Sequence, residues 1–244
     1  MMRPTFRNLT DSFEGWAYRN GFKRQLDRLA AKQFLESQGL TREPDSRVVR
    51  LTETGRLHAL GGRDPERQWR RDWDGTWRAV LFDLPNSQNT IRDRFRAYLR
   101  NIGFGCLQRS VWITPDPLDQ EKLLLSDSKV NVNSLILLEF HPCAGESNHD
   151  IVQGAWNFEE INQSYANYLA VLRARPTGVL STSAKAEAFL HWIRLERSAW
   201  LAAIARDPLL PAYLLPQGYL GRDAWKARLN SCREATAQCH GFRP

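Results

Sequence analysis

Four long polar side chains follow one another near the start of the chain at the spacing of adjacent helical turns: Arg24, Gln25, Arg28 and Lys32. Residues three and four apart lie on one face of a helix. In the major groove of DNA, arginine bridges the O6 and N7 atoms of guanine, and glutamine bridges the N6 and N7 atoms of adenine. The pattern predicts a helix whose polar face reads base edges.

Three further basic residues stand close to this segment: Lys23, Arg42 and Arg47. We expect them to contact phosphates, which fix the register of a protein on the duplex without carrying sequence information. The alternative for all seven residues is a solvated basic surface with no nucleic-acid partner.

Asp83 suggests a second kind of chemistry because it follows a short apolar run typical of a strand. A carboxylate at a strand end can hold a divalent metal between two symmetry-related chains, as a nuclease requires. The other carboxylates that could assist are Asp93 and Asp116. The alternative role for Asp83 is in a turn or cap beside Pro85.

Other reactive residues match no standard site. His141, Cys143 and His149 share one loop and Cys239 and His240 share another segment, but neither group has zinc-binding spacing. There is no glycine-rich phosphate loop and no serine in a nucleophile-elbow motif. We therefore expect no metal, no cofactor and no catalytic residue, and hence no enzyme.

Composition favours a polyanionic partner. The 244 residues include 34 Lys and Arg against 27 Asp and Glu, for a formal net charge of +7. No run is apolar over the length of a membrane span, and the first residues lack the apolar core of a signal peptide. The four cysteines have no CxxC spacing, so we expect a reducing cytoplasm and no membrane association.

The elements that position the basic residues follow from apolar periodicity. Phe22, Leu26, Leu29 and Ala30 predict one buried stripe on a helix from about Gly21 to Gln33. We then expect two strands separated by a turn, the second at Arg47–Leu51, and a helix from the N-cap Thr52 to Leu60. Helix, hairpin and helix form the closing half of a winged helix-turn-helix.

The middle of the chain alternates strands and helices. We expect a strand at Trp77–Phe82, a helix at about Leu118–Leu125 and a strand at Leu135–Phe140. Between the first two lies a helix with a predicted apolar stripe, ended by Gly103 and followed by another strand. The stripe consists of Ile91, Phe95, Leu99 and Ile102. Such interleaving predicts a ferredoxin-like α+β sandwich.

Beyond about Asn148 the apolar pattern is helical throughout. One stripe contains Phe158, Ile161, Tyr165, Tyr168 and Leu172, with Asn157 as N-cap and Glu160 three residues later. A second stripe contains Phe189, Trp192, Ile193, Trp200 and Ile204, and this helix stops before Pro208. A last helix is predicted from about Asp223 to Gln238.

Several ordered motifs resemble the PaaX family, repressors of aromatic-acid catabolism named for phenylacetate degradation. The most specific runs from Trp73-Asp74-Gly75-Thr76-Trp77-Arg78 to Gly103-Phe104-Gly105 and Ser110-Val111-Trp112. Similar stretches are Phe22–Leu29 with Arg50–Gly55, Ala155–Phe158, and Arg206–Pro211. The resemblance covers most of the chain.

The resemblance implies an inducer, an acyl-coenzyme A such as phenylacetyl-CoA, docking on the middle and C-terminal parts. It transfers no specific residue to that role; the arginines available for phosphates are Arg78, Arg109, Arg173 and Arg175. It also implies that the middle part is similar in shape to the small nuclease subunit of CRISPR spacer acquisition, which keeps the nuclease alternative open.

We therefore expect a winged helix-turn-helix at 1–62, a linker or short connecting helix at 63–72, a ferredoxin-like domain at 73–147 and a helical domain at 148–244. The predicted function is repression from a palindromic operator bound as a homodimer and released by the effector. Alternatives are the metal-dependent nuclease and a ligand-sensing or interaction protein with weakened DNA binding. The last arises because Met1–Asn20 offers room for about one short helix ahead of the reading helix, where the family usually has two.

Overall fold

The computed structural model of the chain describes residues 22–39, 47–59, 61–82, 89–118, 135–179 and 182–240. Backbone contacts divide the chain into two compact units, Met1–Asp64 and Pro65–Pro244. The predicted boundaries of a linker and of separate middle and C-terminal domains stay predictions.

The first unit contains a helix, a two-stranded hairpin and a second helix. They are α1 (Phe22–Ala31), β1 (Leu35–Gly39), β2 (Arg47–Leu51) and α2 (Glu53–Ala59). The two strands pair antiparallel, with Leu35 opposite Leu51 and Gly39 opposite Arg47. This order of elements is the one that the apolar pattern predicts.

Thr52 links the hairpin to both helices. Its hydroxyl donates to the Gln33 carbonyl oxygen at 2.6 Å and accepts from the Gly55 N–H at 3.0 Å, which confirms Thr52 as the N-cap of α2. A Cβ on Gly55 would lie 2.1 Å from the carbonyl oxygen of Phe34. The close approach of α2 to the start of β1 therefore requires glycine at this position.

Helix α1 ends two residues before the predicted end. Gln33 has a φ of 58°, and the Phe34 N–H bonds the Leu29 carbonyl oxygen at 2.9 Å, a common way to close a helix. Leu29 is 38% exposed and Ala30 is also exposed, so these members of the predicted buried stripe are not buried. An apolar stripe indicates which face of α1 is apolar and not which part of that face a neighbouring element covers.

The second unit begins with a short helix, α3 (Pro65–Trp69), followed by a four-stranded antiparallel sheet. Its elements are β3 (Trp77–Phe82), α4 (Asn89–Asn101), β4 (Gly105–Gln108), β5 (Val111–Thr114) and β6 (Leu135–Phe140). The strand order is β4–β5–β3–β6, and each neighbouring pair is antiparallel.

Alternating side chains of β3 give each face of the sheet its own core. Trp77 and Ala79 lie in one cluster, whereas Val80 and Phe82 lie in another with α4 residues Phe95 and Leu99. Ile102, predicted to share the buried stripe of α4, is 42% exposed. It lies after the last helical residue, where Gly103 turns the chain with a φ of 97°.

The rest of the second unit is helical. It contains α5 (Asn148–Ala155), α6 (Phe158–Arg173), α7 (Ser183–Ala205), a 3-10 helix (Ala212–Leu214) and α8 (Gly221–His240). Asn157 caps α6 as predicted, because its side chain accepts from the Glu160 N–H at 3.2 Å. The structure thus confirms an α+β protein with a helical C-terminal part.

Burial along these helices matches the predicted stripes except at Phe158, which is half-buried, and at Ile193. Ile161, Tyr165, Tyr168 and Leu172 of α6 are buried as predicted. On α7 the predicted stripe is buried except for Ile193, which is 39% exposed. Around the helix Ile193 lies between Trp200 and Ile204, inside the stripe, so its exposure depends on what packs over that turn and not on its place in the stripe. The helix predicted at Leu118–Leu125 lies outside the described residues apart from Leu118.

Candidate functional site

The residues predicted to contact DNA fall mainly on α1 and the hairpin. Lys23, Arg24, Gln25 and Arg28 lie on α1, and the side chain of Arg28 is exposed. Lys32 is exposed in the turn that follows α1, one residue beyond the helix on which it was predicted. Arg47 opens β2, and Arg42 lies outside the described residues. The contacts of all seven with DNA stay predictions.

The aspartates predicted as metal ligands do not converge where the structure describes them. Asp83 lies outside the described residues. Asp93 is exposed on α4, 3.8 Å from Arg96, and Asp116 accepts from Arg71 at 2.6 Å. Within the described part of the chain, no three His, Cys, Asp or Glu side chains form a group that could hold a metal ion.

The histidines predicted to share one loop lie in different elements, His141 in the loop before α5 and His149 in the first turn of α5, and have different neighbours. Nε2 of His141 lies 3.4 Å from the hydroxyl of Thr76, and Nε2 of His149 lies 2.8 Å from the side-chain nitrogen of Gln153. Cys143 is exposed between them in sequence. These contacts point the two imidazoles to different partners.

A groove in the second unit is a candidate site that the sequence did not indicate. We call it the Tyr213 groove; it has a volume of about 700 Å³ and is lined by residues 69–75, Asn148, residues 211–213 and Arg222. A second cavity of about 610 Å³ shares Asn148 and Tyr213 with it. The two cavities are therefore neighbours.

Two aromatic rings in tilted contact, Trp73 and Tyr213, line this groove. The Tyr213 ring, 78% exposed, lies 5.8 Å from the Trp73 ring at 31°, and Trp73 lies 5.3 Å from the fully buried Trp77. The Nε1–H of Trp73 donates to the Thr76 carbonyl oxygen at 3.0 Å. The indole is therefore fixed, and the Tyr213 ring presents an open face.

Arg78 binds Asp74, one of the residues that line the groove, and its own side chain is buried. It is 7% exposed and donates to Asp74 and to Glu139 on the neighbouring strand. Hydrogen bonds from Arg78 and from the Thr76 N–H lower the pKa of Asp74 from 3.8 to about 2. Asp74 is therefore a carboxylate at neutral pH whose charge is matched by Arg78.

Arg71 joins three segments at the floor of the groove. Its guanidinium donates to Asp116 after β5, to the Gln68 carbonyl oxygen and to the Leu209 carbonyl oxygen. The pairing with Asp116 is bidentate, which fixes direction as well as distance. Arg71 thus ties the chain after α3 to the sheet and to the turn after α7.

That turn is held by a buried carboxylate. Asp207 is 1% exposed and accepts from the hydroxyls of Tyr165 and Tyr219 and from the Leu209 N–H. Burial is the largest cause that raises the pKa of Tyr165 and Tyr219, and the negative charge of Asp207 is the next. Both hydroxyls are therefore neutral donors. The network fixes the turn from Asp207 to Leu209, which precedes the segment that contains Tyr213.

The other arginines considered for phosphate binding lie away from the Tyr213 groove. Arg109 is exposed in the β4–β5 turn. Arg173 and Arg175 line a separate cavity of about 460 Å³, where Arg175 pairs with Glu234.

The sequence did not indicate Arg70, Tyr213 and Arg222 as residues of one groove. Residues this far apart in sequence give no local spacing signal.

The fold and the two sites define an α+β protein with a basic helix–hairpin–helix unit and a larger unit that carries an aromatic groove. Residues 70–152 match the PaaX protein central Cas2-like domain, and residues 156–242 match the PaaX-like protein C-terminal domain. The chain belongs to the PaaX family. These domains fit, at the level of the family, a transcription regulator of phenylacetate catabolism.

The uncharacterized protein Rv0674 from Mycobacterium tuberculosis has a similar solved structure, with a TM-score of 0.55 over 90% of this chain and 84% of that chain. At 20% sequence identity this likeness shows the fold alone. No curated protein matches the sequence. In the described residues, no helix combines the length and apolar character that crossing a membrane requires.

Proposed function

We propose that the chain is a non-enzymatic, cytoplasmic repressor that binds a palindromic DNA operator as a homodimer and releases it when an acyl-CoA-type effector binds. Family membership supports the general class. The observation that carries the proposal is the order helix, antiparallel hairpin, helix, with Arg28 exposed on α1.

The first unit supports a winged helix-turn-helix in this proposal. In such domains a recognition helix enters the major groove, and its exposed polar face reads base edges. α1 is the recognition helix here, β1 and β2 are the wing, and Thr52 starts the helix that follows. The net charge of +7 adds attraction to the phosphate backbone.

The second unit supports the ferredoxin-like assignment. In sequence the four strands are β3, β4, β5 and β6, and in the sheet their order is β4–β5–β3–β6. The first strand in sequence, β3, therefore lies between the third, β5, and the fourth, β6. α4 connects the first and second strands, and a tight turn connects the second and third. This is the arrangement of a split βαβ sheet.

A gel-shift titration on DNA from the upstream region of the gene tests the proposal. We expect a sequence-selective shift that the double variant Arg24→Glu/Arg28→Glu abolishes, because reversed charges repel phosphates and cannot donate to guanine. Arg94→Glu, an equal charge reversal at an exposed α4 position, is the matched control and is expected to shift like the wild type.

Two results would contradict the proposal. A shift that is indifferent to DNA sequence and to the Arg24 and Arg28 changes indicates a merely basic surface. Cleavage of the DNA with added Mg²⁺ or Mn²⁺, lost in Asp83→Ala, indicates the metal-dependent nuclease instead.

A further inference from the structure

We propose that one exposed face of α7 is the surface on which two copies of the chain associate, with their α7 helices antiparallel about a twofold axis at Leu190. We call this surface the α7 face; it consists of Ala186, Glu187, Leu190, Ile193, Arg194 and Leu201. The inference rests on the proposed homodimer and names the surface that forms it.

The helix α7 is apolar on more of its circumference than its neighbours cover. One side packs against α6, where the Nε1–H of Trp192 donates to the Val171 carbonyl oxygen at 2.9 Å. Leu190 and Ile193 nevertheless stay 50% and 39% exposed. Helices that are apolar on several sides are usually buried on several sides, so this face calls for a second partner.

The apolar residues of the α7 face form a stripe along the helix. Leu190, Ile193 and Leu201 follow Ala186 by four, seven and fifteen residues, and positions so spaced recur on one side of a helix. Ala186 and Leu201 are half-buried, and Leu190 is the most exposed of the four. Two such stripes bury one another when two helices pack side by side.

The spacing on either side of Leu190 makes this face complementary to itself. In an antiparallel pair with the twofold axis at Leu190, a residue that precedes Leu190 in one copy lies opposite a residue that follows it in the other. Leu190 then contacts its own symmetry mate, and Ile193 of one copy lies against Ala186 of the second copy. A twofold contact of this kind uses the same patch on both chains.

The two charged residues of the face obey the same symmetry. Glu187 precedes Leu190 by three residues and Arg194 follows it by four, so each lies near its opposite charge on the second copy. Both side chains are exposed, and among the described residues neither has an ion-pair partner within its own chain. A parallel pair would instead set Glu187 beside Glu187 and Arg194 beside Arg194. Charge therefore favours a second copy in the antiparallel direction.

Sedimentation of the full-length protein over a range of concentrations tests the apolar centre of the α7 face. We expect Leu190→Glu to weaken association at least about tenfold, because two carboxylates then meet at the twofold axis in place of two leucines. Leu195→Glu is the matched control, since Leu195 is 47% exposed on a different side of α7. It is expected to associate like the wild type, and circular dichroism establishes that each variant is folded.

A charge exchange tests the antiparallel direction. Glu187→Arg and Arg194→Glu are each expected to weaken association at least about threefold, because like charges then meet twice in the dimer. The double variant Glu187→Arg/Arg194→Glu is expected to associate within about twofold of the wild type. Residues seven apart lie about 10 Å apart along one helix, so such a rescue reports a contact between chains.

A dimer that Leu190→Glu leaves intact, or that Leu195→Glu weakens equally, would overturn the α7 face and leave the proposed homodimer standing. A double variant no better than the single variants would overturn the antiparallel arrangement. A wild-type protein that stays monomeric up to about 100 μM, far above a micromolar dissociation constant, would contradict the homodimer and this inference together. Failure of the repressor assignment is distinct, because it appears as a missing operator shift in protein that still dimerises.

Discussion

Single polar residues hold turns in both compact units. Asp207 accepts three hydrogen bonds in the core and holds Leu209, a non-glycine residue with a φ of 51°. Thr52 performs a similar task in the first unit, where its hydroxyl both donates and accepts. The two carboxylate oxygens of Asp207 thus satisfy three donors that would otherwise be buried without a partner, and the Thr52 hydroxyl joins one backbone carbonyl to one backbone N–H.

Asp207→Ala is expected to lower the free energy of unfolding by about 3 kcal/mol or more. The change leaves two tyrosine hydroxyls and one N–H without their acceptor, at about 1–3 kcal/mol for each buried unsatisfied group. Urea unfolding measures the effect. Asp223→Ala, on the exposed first turn of α8, serves as control with a loss below about 1 kcal/mol. Equal losses in the two variants would show that the Asp207 network does not stabilise the fold.

The elements of the second unit pack at glycine positions that admit no side chain. A Cβ on Gly105 of β4 would lie 2.6 Å from the Trp156 ring and 2.7 Å from the Cβ of Ala155 at the end of α5. Gly154, on the exposed surface of α5, would place its Cβ 3.3 Å from the tip of Leu107. The strand and helix can therefore approach at Gly105 because one residue lacks a side chain.

Gly105→Ala is expected to destabilise the protein by about 1–3 kcal/mol, the usual cost of overpacking a core. Gly154→Ala is the matched substitution, and we expect it to be neutral or stabilising by up to about 1 kcal/mol. The reasons are that alanine favours the helix and that a flexible leucine tip can move. Thermal unfolding of both variants measures the difference, and a Gly105→Ala midpoint equal to that of the wild type would contradict this packing.

At the scale of the whole molecule, attraction to DNA and selection of a particular DNA sequence have different physical origins. The net charge of +7 attracts any duplex, whereas the polar face of α1 is proposed to choose among sequences. The helix α1 and the Tyr213 groove belong to different compact units.

The salt dependence of operator binding is expected to divide the predicted contacts into two classes. Arg47→Ala, which removes a predicted phosphate contact, should weaken operator and unrelated DNA alike and reduce the slope of log K against log salt by about 0.9. Arg28→Ala should weaken operator binding more than binding to unrelated DNA, by about 1–3 kcal/mol of discrimination. Fluorescence anisotropy at several salt concentrations measures both; identical profiles for the two variants would contradict the division.

Most elements could be predicted from the sequence because their signals are local. The apolar period of α6, the cap at Asn157 and the glycine that ends α4 each depend on residues within a few positions of one another. The PaaX kinship could also be recognised, since its motifs are ordered runs of tryptophan, glycine and proline. The family matches at 70–152 and 156–242 confirm that recognition.

Burial at the edges of those elements could not be predicted in the same way. Leu29, Ile102 and Ile193 fit apolar stripes yet are exposed, because a stripe says which face is apolar and not how far the neighbouring element extends over it.

The sequence by itself determined the α+β class, the helix–hairpin–helix order and the family. Tertiary structure alone decided that Arg78 is buried against Asp74 and Glu139, and that Tyr213 and Arg222 meet Trp73 and Asn148 around one groove. The physical reason is range: propensity, capping and periodicity act between near neighbours in the chain, whereas a groove is assembled from side chains brought together by the packing of distant elements.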